Sequence, residues 1–241
     1  MADPAHVRRG AAPYRPPPRD LLALVAVMAV IEIALDLADA GVFADPSLRG
    51  RVFVAGAFWT GLLHGATPVF DLQPYTMFVT HALLHGGFLH MAMNMTVLLG
   101  LGTFVGQRYG AGAVLPTFFC GAVAGGAAFG LISASPLPMV GASGAVFAFL
   151  GVWTVWDWRR MREAHAPVRP VVTRLLVLVG LNVAFFVALS GMLAWEAHLG
   201  GFLSGVAVGL ALEGRRNGRL RRARAEARDA PDERRPSGPP G

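Results

Sequence analysis

Long apolar runs alternate with short polar breaks along this chain, at the scale of a membrane and not of a soluble core. The runs fall at 21–43, about 86–106, 111–134, 142–158, 171–190 and 195–213. Most approach the roughly 20 residues that a helix needs to cross a hydrocarbon layer of about 30 Å. The pattern predicts an all-α membrane protein with six transmembrane helices. The first run, "LLALVAVMAVIEIALDLADAGVF", ends in "ADA", which resembles a signal-peptide cleavage site. Its length and the embedded Glu32 and Asp36 favour a retained span instead. Residues 44–80 are mixed, with Trp59, His64 and Phe70 set among prolines and glycines. The subsegment 52–66 would reach only ~22 Å as a helix, so this stretch is read as a partly embedded interfacial loop.

Arginine placement orients the runs. Arg8, Arg9, Arg15 and Arg19 precede the first span, and Arg108 lies between the second and third. Arg159, Arg160, Arg162 and Arg169 separate the fourth from the fifth; Arg215, Arg216, Arg219, Arg221 and Arg222 follow the sixth. The loops on the other side carry only Arg49 and Arg51. Positive charge marks the cytoplasmic side, so both termini are expected there, and a seventh span at 52–66 would break the rule. Residues 1–20 read as a disordered basic tail and 21–213 as the membrane domain. Residues 214–241, arginine-rich and then rich in proline and glycine, read as a second disordered tail with affinity for anionic lipid heads.

Composition agrees. The chain is 54% hydrophobic and 15% charged, against roughly 25% charged in soluble domains. Its net charge of +6 comes from arginine alone among the bases, clustered beside apolar runs. That placement argues for orientation and lipid contact, not nucleic acid. The absence of lysine fits a GC-rich bacterial genome, so a bacterial plasma membrane is the expected location. Cys120 is alone, which excludes an intrachain disulfide.

The chemistry concentrates where spans two, four and six enter from the outer side. Their outer ends carry His90 and Asn94, then Ser143, then His198. Three helices running the same way bring these residues to similar depth, and polar side chains at that depth face the bundle interior or water. The fourth helix has only about 15 residues between Gly144 and the arginines at 159 and 160, so it starts below the outer surface. Gly201, Gly205 and Gly209 form a small-xxx-small face on the sixth span, matching Gly144, Ala148 and Gly151 on the fourth. If these faces meet, His198 comes beside Ser143 as its base, with Phe147 one turn on to support the imidazole. His90 and Asn94, at i and i+4, would join the Ser143 amide in holding an oxyanion. Glu196 points elsewhere on its helix, which leaves a serine–histidine dyad.

Plainer readings exist. Small residues at a helix interface alone explain G-x-S-G, and His198 alone suits a pore. His81 and His85, at i and i+4, have the spacing of metal or haem ligands, but no facing pair accompanies them. Structural hydrogen bonding is the better reading, and no metal or cofactor is expected.

Three motifs in this order, "HALLHGGFLHMAMN", "GASG" and "AHLGGFLSG", resemble those of the rhomboid intramembrane serine proteases over roughly residues 21–213. The resemblance implies a six-span bundle that cleaves single-span or polytopic membrane proteins, with Ser143 as nucleophile and His198 as general base. It implies an oxyanion hole of His90, Asn94 and the Ser143 amide, a close-contact Gly201, and a structural His85 near the water route. Family members often carry a Trp-Arg pair in the first outer loop. The matching "PYTMFVT" lacks it, so no anchor for that loop carries over. Phe147 stands where many relatives have tyrosine. Met192, Leu193 and Trp195, in the turn before the sixth span, are read as a mobile lid. The alternatives are an inactive rhomboid-like binder of membrane segments and, from another class, a small-solute transporter.

Overall fold

Glycines and prolines punctuate the helices. Gly87 (φ +124°) and Gly110 (φ +97°) take backbone conformations that L side chains rarely adopt, and they bracket the second apolar run as a helix of 22 residues. In the computed structural model, residues 16–42, 45–188 and 190–229 are described. Their helices are α1 (Arg19–Asp39), α2 (Leu48–Gly56), α3 (Gln73–Thr80), α4 (Phe88–Tyr109), α5 (Val114–Ile132), α6 (Ser143–Glu163), α7 (Arg169–Ala188) and α8 (Trp195–Asp229). Short 3-10 turns cover Thr60–His64, His81–Leu83 and Ala111–Ala113.

Five helices, α1, α4, α5 with its leading turn, α7 and α8, are long and apolar enough to cross a membrane. The fourth predicted span, α6, falls short of that measure because Asp157, Arg159, Arg160, Arg162 and Glu163 occupy its last two turns. It is nevertheless the axis of the bundle, packed against α4, α5 and α8. A helix enclosed by others need not present apolar residues to lipid on every face. The stretch 52–66 is no span: α2 ends at Gly56, and a single 3-10 turn follows.

One core cluster runs along α1, α4, α5 and α6 through Leu21, Met28, Leu98, Phe118 and Phe149. A smaller one joins the first loop to α5 through Phe58, Met77, Phe129 and Met139. Phe58, fully buried, meets Phe78, His81 and Phe129 edge to face. Its backbone exchanges hydrogen bonds of 2.9 and 3.0 Å with Met139. The loop is also clamped to α1. Arg49 donates to Glu32 (2.9 Å), Asp36 (2.7 Å) and Asp39 (2.5 Å), and to the carbonyl of His85 (3.1 Å). Those carboxylates lie at i, i+4 and i+7 on one face of α1, so one guanidinium fork reaches all three. This clamp is the anchor that the missing Trp-Arg pair left unassigned.

The C-terminal tail departs from expectation. α8 runs unbroken through "RRNGRLRRARAEARD" to Asp229, so residues 214–229 are helical where composition pointed to disorder. Arginine, alanine, leucine and glutamate are strong helix formers, and extending an existing helix avoids the cost of nucleation. Residues 1–15 and 230–241, the other tail segments expected to be disordered, lie outside the described residues.

Candidate active site

The site is set by how closely α6 and α8 approach. A Cβ on Gly201 would fall 1.9 Å from the carbonyl oxygen of Gly144, and one on Gly205 would fall 2.0 Å from that of Ala148. Only glycine permits this backbone-on-backbone contact, which gives dispersion attraction along the whole seam. α5 joins it: a Cβ on Gly121 would lie 2.5 Å from Ala148 Cβ. The helices are thus locked in register by positions where no side chain fits.

That register brings Ser143 and His198 together. His198 Nε2 lies 2.9 Å from Ser143 Oγ, across two helices. The Phe147 ring stacks on the imidazole with centroids 4.2 Å apart and planes 7° from parallel. Ser143 is the first residue of α6, so its amide is among those with no acceptor inside the helix, at the positive end of the dipole.

His90 and Asn94 lie beside Gly141, two residues before Ser143. A Cβ on Gly141 would lie 2.8 Å from His90 Cε1 and 4.0 Å from Asn94 Nδ2, so glycine there leaves room for both. Asn94 Nδ2 donates to the carbonyl of His90 at 3.1 Å, which leaves its second N–H to give. His81 and His85 brace the backbone just before the serine. The carbonyl of His81 accepts from Gly141 N–H at 2.9 Å, and His85 Nε2 accepts from Ala142 N–H at 3.4 Å. Both histidines lie in the connection between α3 and α4, outside the spanning helices. Burial pushes the His81 imidazole down to about 4, and burial with the neighbouring His90 pushes His85 down to about 3. Neutral rings suit these roles: His81 Nδ1–H donates to Met77 O at 2.8 Å, and His85 Nε2 keeps its lone pair. Among the described residues, no three His, Cys, Asp or Glu side chains gather to hold a metal ion.

Met192 is exposed and Leu193 half-buried in the turn before α8, and Trp195, exposed, is the first residue of that helix. No bond or ring contact ties these three to Ser143.

A sequence model of the rhomboid domain matches residues 72–215. The chain belongs to the rhomboid family. Among curated relatives, it is 32% identical over 136 residues to rhomboid protease GluP of Bacillus subtilis, covering 56% of this chain and 25% of that protein. Rhomboid-type serine protease 2 of Emericella nidulans is 30% identical over 141 residues, covering 55% and 26%. Rhomboid-like protease 3 of Toxoplasma gondii is 31% identical over 156 residues, covering 62% and 57%. The matches thus span between a quarter and somewhat over half of these relatives' own lengths. The rhomboid match covers Ser143, His198, His90 and Asn94 alike.

One side chain at this site escaped the reading of the sequence. His198 Nδ1 lies 2.6 Å from Oδ1 of Asn182, on α7. The only signal was an isolated amide in "VLVGLNVAFF". Nothing in the sequence said which neighbour that amide would face.

Proposed function

We propose that this rhomboid is an active serine endopeptidase that cleaves membrane-protein substrates within or beside their spans. The 2.9 Å contact between Ser143 Oγ and His198 Nε2 carries this reading. A serine hydroxyl is a weak nucleophile until a base takes its proton. Here the base is already in hydrogen-bonding reach, with its ring held by Phe147. Ser143 attacks the scissile carbonyl as its proton passes to His198. The imidazolium returns that proton to the leaving amine, leaving an acyl-enzyme that water hydrolyses by the reverse relay. The oxyanion takes hydrogen bonds from the Ser143 amide, the second N–H of Asn94, and His90. Substrates carry a small residue before the scissile bond and helix-weakening residues after it, because an intact helix hides its carbonyls from attack.

The rest of the reading follows the charge. The end of α4 with Arg108, the arginine-rich ends of α6 and α8, and both termini lie on the cytoplasmic side, and the dyad opens toward the other. Met192, Leu193 and Trp195 form a lid over it.

The test is cleavage of a single-span model substrate in reconstituted vesicles by wild type, Ser143→Ala and His198→Ala. Both variants should lose activity by at least about 10²-fold, and unchanged cleavage in either refutes the assignment. Labelling of wild type by a fluorophosphonate at Ser143 separates an active protease from a rhomboid that binds segments without cutting them.

A further inference from the structure

α7 is held loosely. Among its described residues only Val171 is buried; Leu175 and Leu178 are half-buried, and its other described apolar side chains are exposed. Open space separates it from its neighbours: a gap of about 620 Å³ lined by Val155, Trp158, Leu175 and Phe202, and another of about 210 Å³ lined by Trp153, Leu178 and Leu181. Among the described residues, two hydrogen-bonding side chains of α7 cross to the bundle, and the Arg174 guanidinium also lies over the Trp153 ring of α6, 5.0 Å from its centroid. Arg174 pairs with the buried Asp157 of α6, and Asn182 reaches His198 of α8. The two lie eight residues apart along the ridge Arg174, Leu178, Asn182, two i, i+4 steps on one side of the helix.

The Asn182 contact has a definite polarity. Its Nδ2 donates to the carbonyl of Leu178 at 3.0 Å. That bond turns Oδ1 toward the imidazole, and an amide oxygen can only accept. His198 Nδ1 must therefore carry the hydrogen, which leaves the Nε2 lone pair facing the Ser143 hydroxyl. With the other tautomer, Nε2 would be a donor and could not take the serine's proton. The same oxygen remains on Nδ1–H when the ring becomes cationic, and it places no second charge at membrane depth.

We propose that Asn182 is a positioning residue for His198. It fixes the tautomer in which the base can accept a proton, and it makes that state depend on α7 being docked. This rests on the protease reading of Ser143 and His198. The third partner of the site therefore comes from the least-packed helix of the bundle. Displacing α7 by about one hydrogen-bond length leaves Ser143, Phe147 and His198 in place but releases the ring to choose its tautomer.

The experiment compares wild type with Asn182→Leu and Asn182→Asp. Leucine suits a lipid-exposed helix and removes the acceptor, whereas aspartate restores one. In detergent-solubilised protein carrying ¹⁵N-histidine, with the His198 signals assigned by loss in His198→Ala, wild type should show the Nδ1–H tautomer. The leucine variant should show a mixture enriched in Nε2–H. On the single-span substrate, leucine should lower kcat by about tenfold to a hundredfold with KM within about twofold, and aspartate should recover part of the loss. An unchanged tautomer in the leucine variant overturns the proposal, as does a loss confined to KM. The tautomer measurement requires no activity. A wild type that fails to react with a fluorophosphonate therefore refutes the protease reading and leaves the Asn182 bond to be decided by its own result.

Discussion

Adding one methyl group at Gly201 should disable the site without touching either reacting side chain. The new Cβ would start 1.9 Å from the carbonyl oxygen of Gly144 and 2.7 Å from its carbonyl carbon. Carbon and carbonyl oxygen approach no closer than about 3.3 Å, so α6 and α8 must separate there by roughly 1.4 Å. The obstacle is backbone and has no rotamer to change. Overpacking of this kind costs about 1–3 kcal/mol of stability. The same displacement carries the Ser143–His198 contact from 2.9 Å past hydrogen-bonding distance. A misplacement near 1 Å is worth about 10²-fold in rate. Gly201→Ala should therefore lower kcat on the model substrate about a hundredfold, slow fluorophosphonate labelling in parallel, and lower the unfolding temperature. Gly214→Ala, on the same helix with nothing within 4 Å of the added carbon, is the control. It should keep full activity and gain up to about 1 kcal/mol, because alanine is the better helix former. A Gly201→Ala variant that keeps wild-type labelling and cleavage would refute the idea that the glycine seam sets the dyad distance.

Two further outcomes follow from the packing. Arg49→Ala strips the clamp from Glu32, Asp36 and Asp39 and leaves the fully buried Glu32 without its counter-charge; thermal unfolding should report a loss of about 3–5 kcal/mol. Replacing Glu32 and Arg49 together by leucine should recover much of that loss, and a double variant as unstable as Arg49→Ala would refute the clamp. Phe147→Ala removes the stacked ring from His198, an interaction worth about 0.5–1.5 kcal/mol, so kcat should fall by up to about tenfold. Phe147→Tyr should keep the rate, and an alanine variant at full speed would show that the stacking holds nothing.

Local pattern and tertiary packing contributed differently to what can be said of this rhomboid. The apolar runs, their arginine boundaries and the three motifs were legible because each is periodic or contiguous. Membrane thickness sets the length of a run, and G-x-S-G or Gly-xxx-Gly keeps its meaning wherever the helix sits. Facing stripes of small residues on spans four and six were enough to anticipate that Ser143 and His198 would meet. The helical tail to Asp229 was misread because arginine-rich composition suits disorder and helix equally, and continuity with α8 decided between them.

Asn182 and Arg49 were not legible, for one shared reason. Each makes its bond across the bundle to an element with no sequence relation to its own, 16 residues away for Asn182 and 17, 13 and 10 residues away for the three partners of Arg49. An isolated amide in an apolar helix carries no mark of its partner. Glu32 and Asp36 could be seen in the first run only as charges out of place. The sequence by itself determined the class of protein, the number of apolar runs and which serine and histidine would come within hydrogen-bonding distance, since these follow from residue type and spacing along one helix. The rotation of α7 that aims Asn182 at His198, and the reach of Arg49 onto α1, exist only after several helices have packed. Helix rotation and depth are set jointly by every interface at once, and no single segment encodes them.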